Sequence, residues 1–174
     1  LDISKAFDRV WHGGLIHKLK QIGICGCLLD WFSSYLSNRR RAVLYNVETD
    51  IKYTDSGVPQ GSILGPLLFL IFINDMTDDK QTGPHLYADD MTLMEIVRGS
   101  LPNSITKINS DLALLSDWSR KWLVTFHSKK TFYMRISLKK HKLPIPDIIL
   151  DGSKVQEVEY YSNLGMTLDN HMTW

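Results

Sequence analysis

The stretch His85-Leu86-Tyr87-Ala88-Asp89-Asp90-Met91-Thr92-Leu93-Met94 decides how the rest of the chain is read. Apolar residues run into two adjacent carboxylates and out again with no Gly or Pro, which predicts strand, tight turn, strand. The aspartates then sit at the tip. Strand interiors disfavour Asp, and two like charges about 4 Å apart repel by about 4 kcal/mol at an effective dielectric near 20. A counter-charge is therefore expected. The usual counter-charge for convergent carboxylates with no His or Cys beside them is a hard cation, Mg²⁺ or Mn²⁺, and Mg²⁺ favours one or two carboxylates plus substrate phosphates. The bland alternative, at even weight, is an ordinary hairpin turn, where Asp is common.

Outward from that centre, 174 residues are enough for one good core, and the chain is read as one domain over 1–174. With 44% apolar and 22% charged residues the composition is that of a folded, soluble protein. A net charge of +1 does not advertise nucleic-acid binding, so any basic surface is local. Cys25 and Cys27 build neither a zinc site nor a disulfide framework, and are expected to pack as small apolar residues in a reducing compartment. The run Ile63 to Ile73, interrupted by Gly65 and Pro66, is too short for a bilayer, and no membrane partner is expected. A start at Leu1 rather than Met, already strand-like, reads as a piece of a longer polypeptide.

In chain order, Leu1 to Phe7 predicts a strand carrying Asp2. Leu15, Ile16, Leu19 and Ile22 recur at helical spacing with Gly23 as the stop. A second helix from about Leu28 aligns Trp31, Phe32, Tyr35 and Leu36, expected as core. Arg39, Arg40 and Arg41 form a candidate phosphate contact, weighed against a solvated turn, and lead into a strand at Ala42–Tyr45 that pairs with Ile51–Thr54. Ser56 to Ser62 is a Gly- and Pro-containing loop opening directly into an apolar helix, Leu64 to Met76; such a loop lets a substrate approach the backbone. Asp75, Asp78 and Asp79 read as solvated surface. A long amphipathic helix follows, marked by Ile105, Ile108, Leu112, Leu115 and Trp122, with Ser100 or Asn103 as N-cap. Then come a strand at Thr131–Leu138, a hairpin turning at Asp151-Gly152, and a last strand from about Tyr160 to Leu168. Strands returning by hairpins with helices to one side describe an α+β sheet.

Three segments together resemble the reverse transcriptases of non-LTR, LINE-like, jockey-type retrotransposons. LDISKAFDRVWH from Leu1 is similar to that family's motif A, GVPQGSILGPLLFLIFINDM from Gly57 to its motif B, and YADD at Tyr87–Asp90 to motif C. WSRKWLVTFHSKKTFYM resembles motif D, and the Tyr161–Asp169 segment motif E. The resemblance implies a polymerase palm, an antiparallel RRM/ferredoxin-like sheet with helices on one face. It implies an RNA-directed DNA polymerase that adds deoxynucleotides to a primer 3′ end.

By the same resemblance, Asp2 and Asp89 hold two Mg²⁺ ions, with Asp90 as the adjacent carboxylate; Mn²⁺ is the substitute. Strand alternation ranks Asp90 lower, since neighbouring side chains point to opposite faces. Phe7 matches the sugar gate, Gln60 and Gly61 the nucleotide-contacting loop, and Lys130 the motif D proton donor, each weighed against plain packing or surface. Tyr87 and Ala88, and Leu164-Gly165 as primer grip, match primer contacts. The implied partners are an RNA template, a DNA primer, dNTPs, and the fingers, thumb and endonuclease modules of the parent chain. A nuclear or cytoplasmic setting follows from the family. His127 in place of Asn, Asn163 in place of an aromatic, and Trp11 in place of Pro depart from the pattern; the second weakens the primer-grip assignment. Without fingers and thumb the piece itself is expected to be inert. The rival readings are a non-catalytic remnant, disfavoured because all three carboxylates and Gln60 are present, and another metal-dependent phosphotransferase or nuclease, disfavoured by the motif B run.

Overall fold

The backbone alternates helix and strand in the order the patterning predicts, and the coarse class, α+β, holds. The computed structural model describes residues 1–37, 40–41, 52–137 and 144–173. The expected strand at Ala42–Tyr45 lies outside the described residues. The chain divides into two compact units, each with its own interior.

The first unit comprises residues 1–3, 77–118 and 126–174. Its centre is the hairpin of β3 (Gly83–Tyr87) and β4 (Asp90–Met94), antiparallel, with Tyr87 opposite Asp90. Ala88-Asp89 is thus a two-residue loop. Ala88 takes φ +51, which supplies the positive φ that matches a tight turn to strand twist. The N-terminal segment docks on β4: Leu1 N donates to the Met91 carbonyl at 2.9 Å, and Met91 N–H returns to the Leu1 carbonyl at 3.1 Å. Asp2 bridges Asp90, and Ile3 bridges Phe126 on its other side. The strand expected over Leu1–Phe7 is only this pair of bridges, because Lys5 at φ +50 turns the chain into a 3-10 turn at Ala6–Arg9.

Helix α4 (Leu101–Trp122) starts at Ser100, whose carbonyl accepts the Ser104 N–H; Asn103 lies inside the helix. Ile105, Leu112 and Leu115 face the interior with Met91, Ile148, Leu150 and Val155. Asp111, fully buried on this helix, anchors the entry to β3 by accepting the Gln81 and Thr82 N–H groups and the Thr82 hydroxyl at 2.6–3.0 Å. Strand β5 is only Phe132–Tyr133, and it pairs in parallel with β8 (Gln156–Glu157), a crossover among strands expected mostly to return by hairpins. β6 (Ile149–Leu150) and β7 (Ser153–Lys154) turn at Asp151-Gly152 as expected, with φ +49 and +74. The last segment is a hairpin and not one strand. β9 (Tyr160–Asn163) and β10 (Met166–Asp169) are joined by Leu164-Gly165 at φ +48 and +82, the two positive φ values of a type I′ turn.

The second unit comprises residues 4–76 and 119–125. Helix α1 (His12–Gln21) stops before Gly23 at φ +95, and helix α2 (Gly26–Leu36) follows. Leu15, Leu19, Leu29 and Leu36 are buried, but Trp31 is 50% exposed and stacks on Tyr35 at 5.4 Å. Of the face expected as core, Leu36 is buried, Phe32 and Tyr35 are half-buried, and only Trp31 is exposed, because Leu29 shares the inner stripe with Leu36. Cys25 and Cys27 are likewise exposed and not packed. β1 (Arg40–Arg41) pairs antiparallel with β2 (Lys52–Tyr53).

Helix α3 is Leu64–Ile73, shorter than expected because a 3-10 turn takes over at Asn74–Thr77. Leu68, Phe69, Phe72 and Ile73 are its buried residues. Lys18 is buried among them, with its ammonium 3.9 Å from the Trp122 ring centroid and bonded to the Phe72 carbonyl and the Asp75 carboxylate. Asp75 is thus paired rather than free surface. Among the described residues strands pair two by two, with the N-terminal segment bridging only β4 at Asp2–Asp90, and no helix is long and apolar enough to cross a membrane.

Candidate active site

In the first unit the N-terminal segment and β4 lie side by side, with Asp2 directly across from Asp90. Opposed residues of an antiparallel pair project on the same face with Cβ atoms about 5 Å apart, so these carboxylates share one surface. Asp89 occupies the second position of the hairpin loop. The alternation argument ranks Asp90 below Asp89; the register gives Asp90 the place opposite Asp2, and Asp89 the tip beside it.

Two like charges so placed repel unless neutralised. Lys130 supplies one cation, its Nζ 3.5 Å from Asp2 Oδ2, although the side chain is largely exposed. The backbone delivers it there: His127 N–H donates to the Asp2 carbonyl at 2.8 Å, and a 3-10 turn at Ser128–Lys130 brings the lysine round. The motif D resemblance names Lys130 for the site, weighed against surface, but does not say that its ammonium faces Asp2. Tyr161 on β9 is a residue that sequence reading misses. It is half-buried and, with Leu1, Met91 and Leu168, lines a cavity of about 1190 Å³ within this unit. Burial, then the charges of Asp90 and Asp2, push its phenol above the ordinary range. No residue pattern announces it, because its placement depends on the unforeseen β9–β10 hairpin.

Among the described residues no group of three or more His, Cys, Asp and Glu side chains is arranged to hold a metal. A pair of carboxylates on one face does fit Mg²⁺ of the kind that completes its shell with water and substrate phosphate, and does not fit a closed protein cage.

In the second unit motif A's tail meets motif B's head. Gly57 N–H donates to the Val10 carbonyl and Val58 N–H to the Phe7 carbonyl, both at 2.8 Å. Gly57 has φ +95, and a Cβ there would lie 3.1 Å from the Asp8 carbonyl oxygen, so only glycine suits this approach. His12 Nε2 contacts the Gly57 carbonyl at 2.8 Å. Phe7 stacks on Phe69 with ring centroids 4.9 Å apart and is half-buried. Ser62 donates to the Pro59 carbonyl and accepts from Gly65 N–H, which opens helix α3 and holds Gln60 and Gly61 in an exposed turn. Tyr87 is exposed beside the hairpin tip, and Leu164 and Gly165 are exposed at the other tip. Arg40 and Arg41 form β1, whereas Arg39 lies outside the described residues.

Comparison with known proteins gives this arrangement its context. Residues 1–168 match the family described as reverse transcriptase (RNA-dependent DNA polymerase). The chain is 32% identical over its whole length to the probable RNA-directed DNA polymerase from transposon BS of Drosophila melanogaster. It is 30% identical to the RNA-directed DNA polymerase from mobile element jockey of Drosophila funebris, and 33% to the probable polymerase from transposon X-element of Drosophila melanogaster. It covers all of itself in each match but only about a fifth of those relatives, 20%, 20% and 19%. The jockey-type kinship implied by motifs A to C is therefore observed, and the chain belongs to the reverse transcriptase family.

Proposed function

We propose that residues 1–174 form the catalytic palm of an RNA-directed DNA polymerase that extends a DNA primer on an RNA template with dNTPs. The observation that carries this reading is the opposition of Asp2, from motif A, and Asp90, at the end of motif C, with Asp89 beside them. Nucleotidyl transfer by two metals needs carboxylates from distant segments at one point.

In this reading Asp2, Asp89 and Asp90 hold two Mg²⁺ ions, which when bound lower the cost of deprotonating the primer hydroxyl and offset charge on the triphosphate. Lys130, already beside Asp2, donates a proton toward the departing pyrophosphate. Phe7, braced against Phe69, closes the space a 2′-hydroxyl needs. Gln60 and Gly61, presented by the Ser62-capped turn, offer amide and backbone donors to the incoming nucleotide. Tyr87 and Ala88 at one hairpin tip, Leu164 and Gly165 at the other, and Arg39, Arg40 and Arg41 contact primer or template. Fingers, thumb and any endonuclease would lie outside these residues, which span about a fifth of the length of the relatives they match.

The test is a chimaera in which this chain replaces the matching segment of the jockey polymerase. It is expected to extend a DNA primer on RNA with Mg²⁺. Asp2→Asn, Asp89→Asn and Asp90→Asn are each expected to abolish extension while primer–template binding persists. Unchanged synthesis in Asp2→Asn would overturn the assignment. A folded chimaera that binds primer–template without extending it would favour the non-catalytic remnant.

A further inference from the structure

Cys25 and Cys27, the only cysteines of the chain, are both exposed, although a small apolar residue of this kind is usually buried. They flank Gly26, which has φ +59 and around which a built Cβ would meet nothing within 4 Å. Cys25, in extended conformation ahead of helix α2, makes no side-chain capping bond, so its sulfur is not engaged in starting the helix. The interior stripe of α2 begins only at Leu29. Two thiols two residues apart, in open solvent, across a left-handed glycine, form a local dithiol that no part of the polymerase reading uses.

We propose that Cys25 and Cys27 are a reversible redox-modification site, which closes to an intramolecular disulfide on reaction with a small-molecule disulfide such as glutathione disulfide. Two trans peptide units separate the Cα atoms by at most about 7.6 Å, and a left-handed residue between them shortens the span toward the roughly 4.4–6.8 Å that a disulfide requires. A side chain at position 26 would stiffen this turn; glycine leaves it free to close.

The exchange balances without any further reactant. One cysteine thiolate attacks a glutathione sulfur, breaking the glutathione S–S bond and expelling the first glutathione thiolate. The second cysteine thiolate then attacks the modified protein sulfur, forming the Cys25–Cys27 bond and expelling the second. The two thiol protons end on the two released glutathiones; the protein loses two electrons and glutathione disulfide gains them. A ring this small and this exposed is of the labile kind, so reduced glutathione reopens it.

The experiment incubates the folded 174-residue chain with glutathione disulfide, alkylates it with iodoacetamide and measures the intact mass. The expected product is monomeric, lacks two hydrogens, takes up no alkyl group, and regains two alkylatable thiols after reduced glutathione. Cys25→Ser and Cys27→Ser, both surface changes, are each expected to retain one glutathione adduct instead. Two stable adducts on the native chain, full alkylation after oxidation, a disulfide-linked dimer, or closure seen only in denaturant would each overturn the proposal.

Discussion

Single residues carry backbone positions that their side chains do not favour. Ala88 at φ +51 sits in the tightest turn of the candidate site, and a non-glycine residue in the left-handed region costs about 1–2 kcal/mol. Strain of this kind collects at functional positions. Ala88→Gly is therefore expected to raise stability by up to about 1 kcal/mol, seen as a higher urea midpoint with unchanged slope. A lower midpoint would mean that the Ala88 methyl contributes more by packing than its conformation costs. Leu164 at φ +48 repeats the pattern at the other hairpin tip, and it is 58% exposed. Its φ is the one the type I′ turn requires, so the turn and not the side chain sets this conformation.

At the scale of elements, the β3–β4 hairpin is positioned by a carboxylate that does no chemistry. Asp111 on α4 is wholly buried and accepts three hydrogen bonds from Gln81 and Thr82. Burial pushes its carboxyl up, but the Thr82 hydroxyl, the two N–H groups and the Lys80 charge outweigh this and hold it below the ordinary range. A carboxylate lowered in this way stabilises the fold above its unfolded value, and the contribution is lost as pH falls through the folded one. Asp111→Ala is expected to cost about 2–4 kcal/mol at neutral pH, since it strands the buried Thr82 N–H and hydroxyl donors. It should also flatten the loss of stability below about pH 4, the unfolded Asp value, when urea midpoints are followed against pH. An unaltered acid limb would show that other carboxylates dominate it.

For the molecule as a whole the deciding quantity is charge. A net charge of +1 leaves little to neutralise phosphates, which supply much of the affinity for nucleic acid. The 174-residue chain alone is expected to bind an RNA–DNA primer–template weakly, with anisotropy changes that vanish between about 50 and 200 mM salt. Tight, salt-resistant binding would show that the local basic residues suffice to grip a primer–template despite the low net charge.

Much was legible in the chain itself because it depends on local chemistry. Glycine at 23, Asp-Gly at 151–152 and the apolar spacing of α1, α3 and α4 specify turns and helices through sterics and periodicity. The acidic pair at the centre of a hairpin, and the family resemblance of motifs A to D, follow from residue identity alone. Tertiary structure decided what depends on register and on partners distant in sequence. A slip of one residue would set a different aspartate opposite Asp2; the bonds between Leu1 and Met91 select Asp90. The same holds for Lys130 beside Asp2, Tyr161 near both carboxylates, the buried Lys18, and the exposed Trp31 and Cys25. Each of these side chains reads identically in sequence whether it is core or surface, because burial is a property of what packs against it.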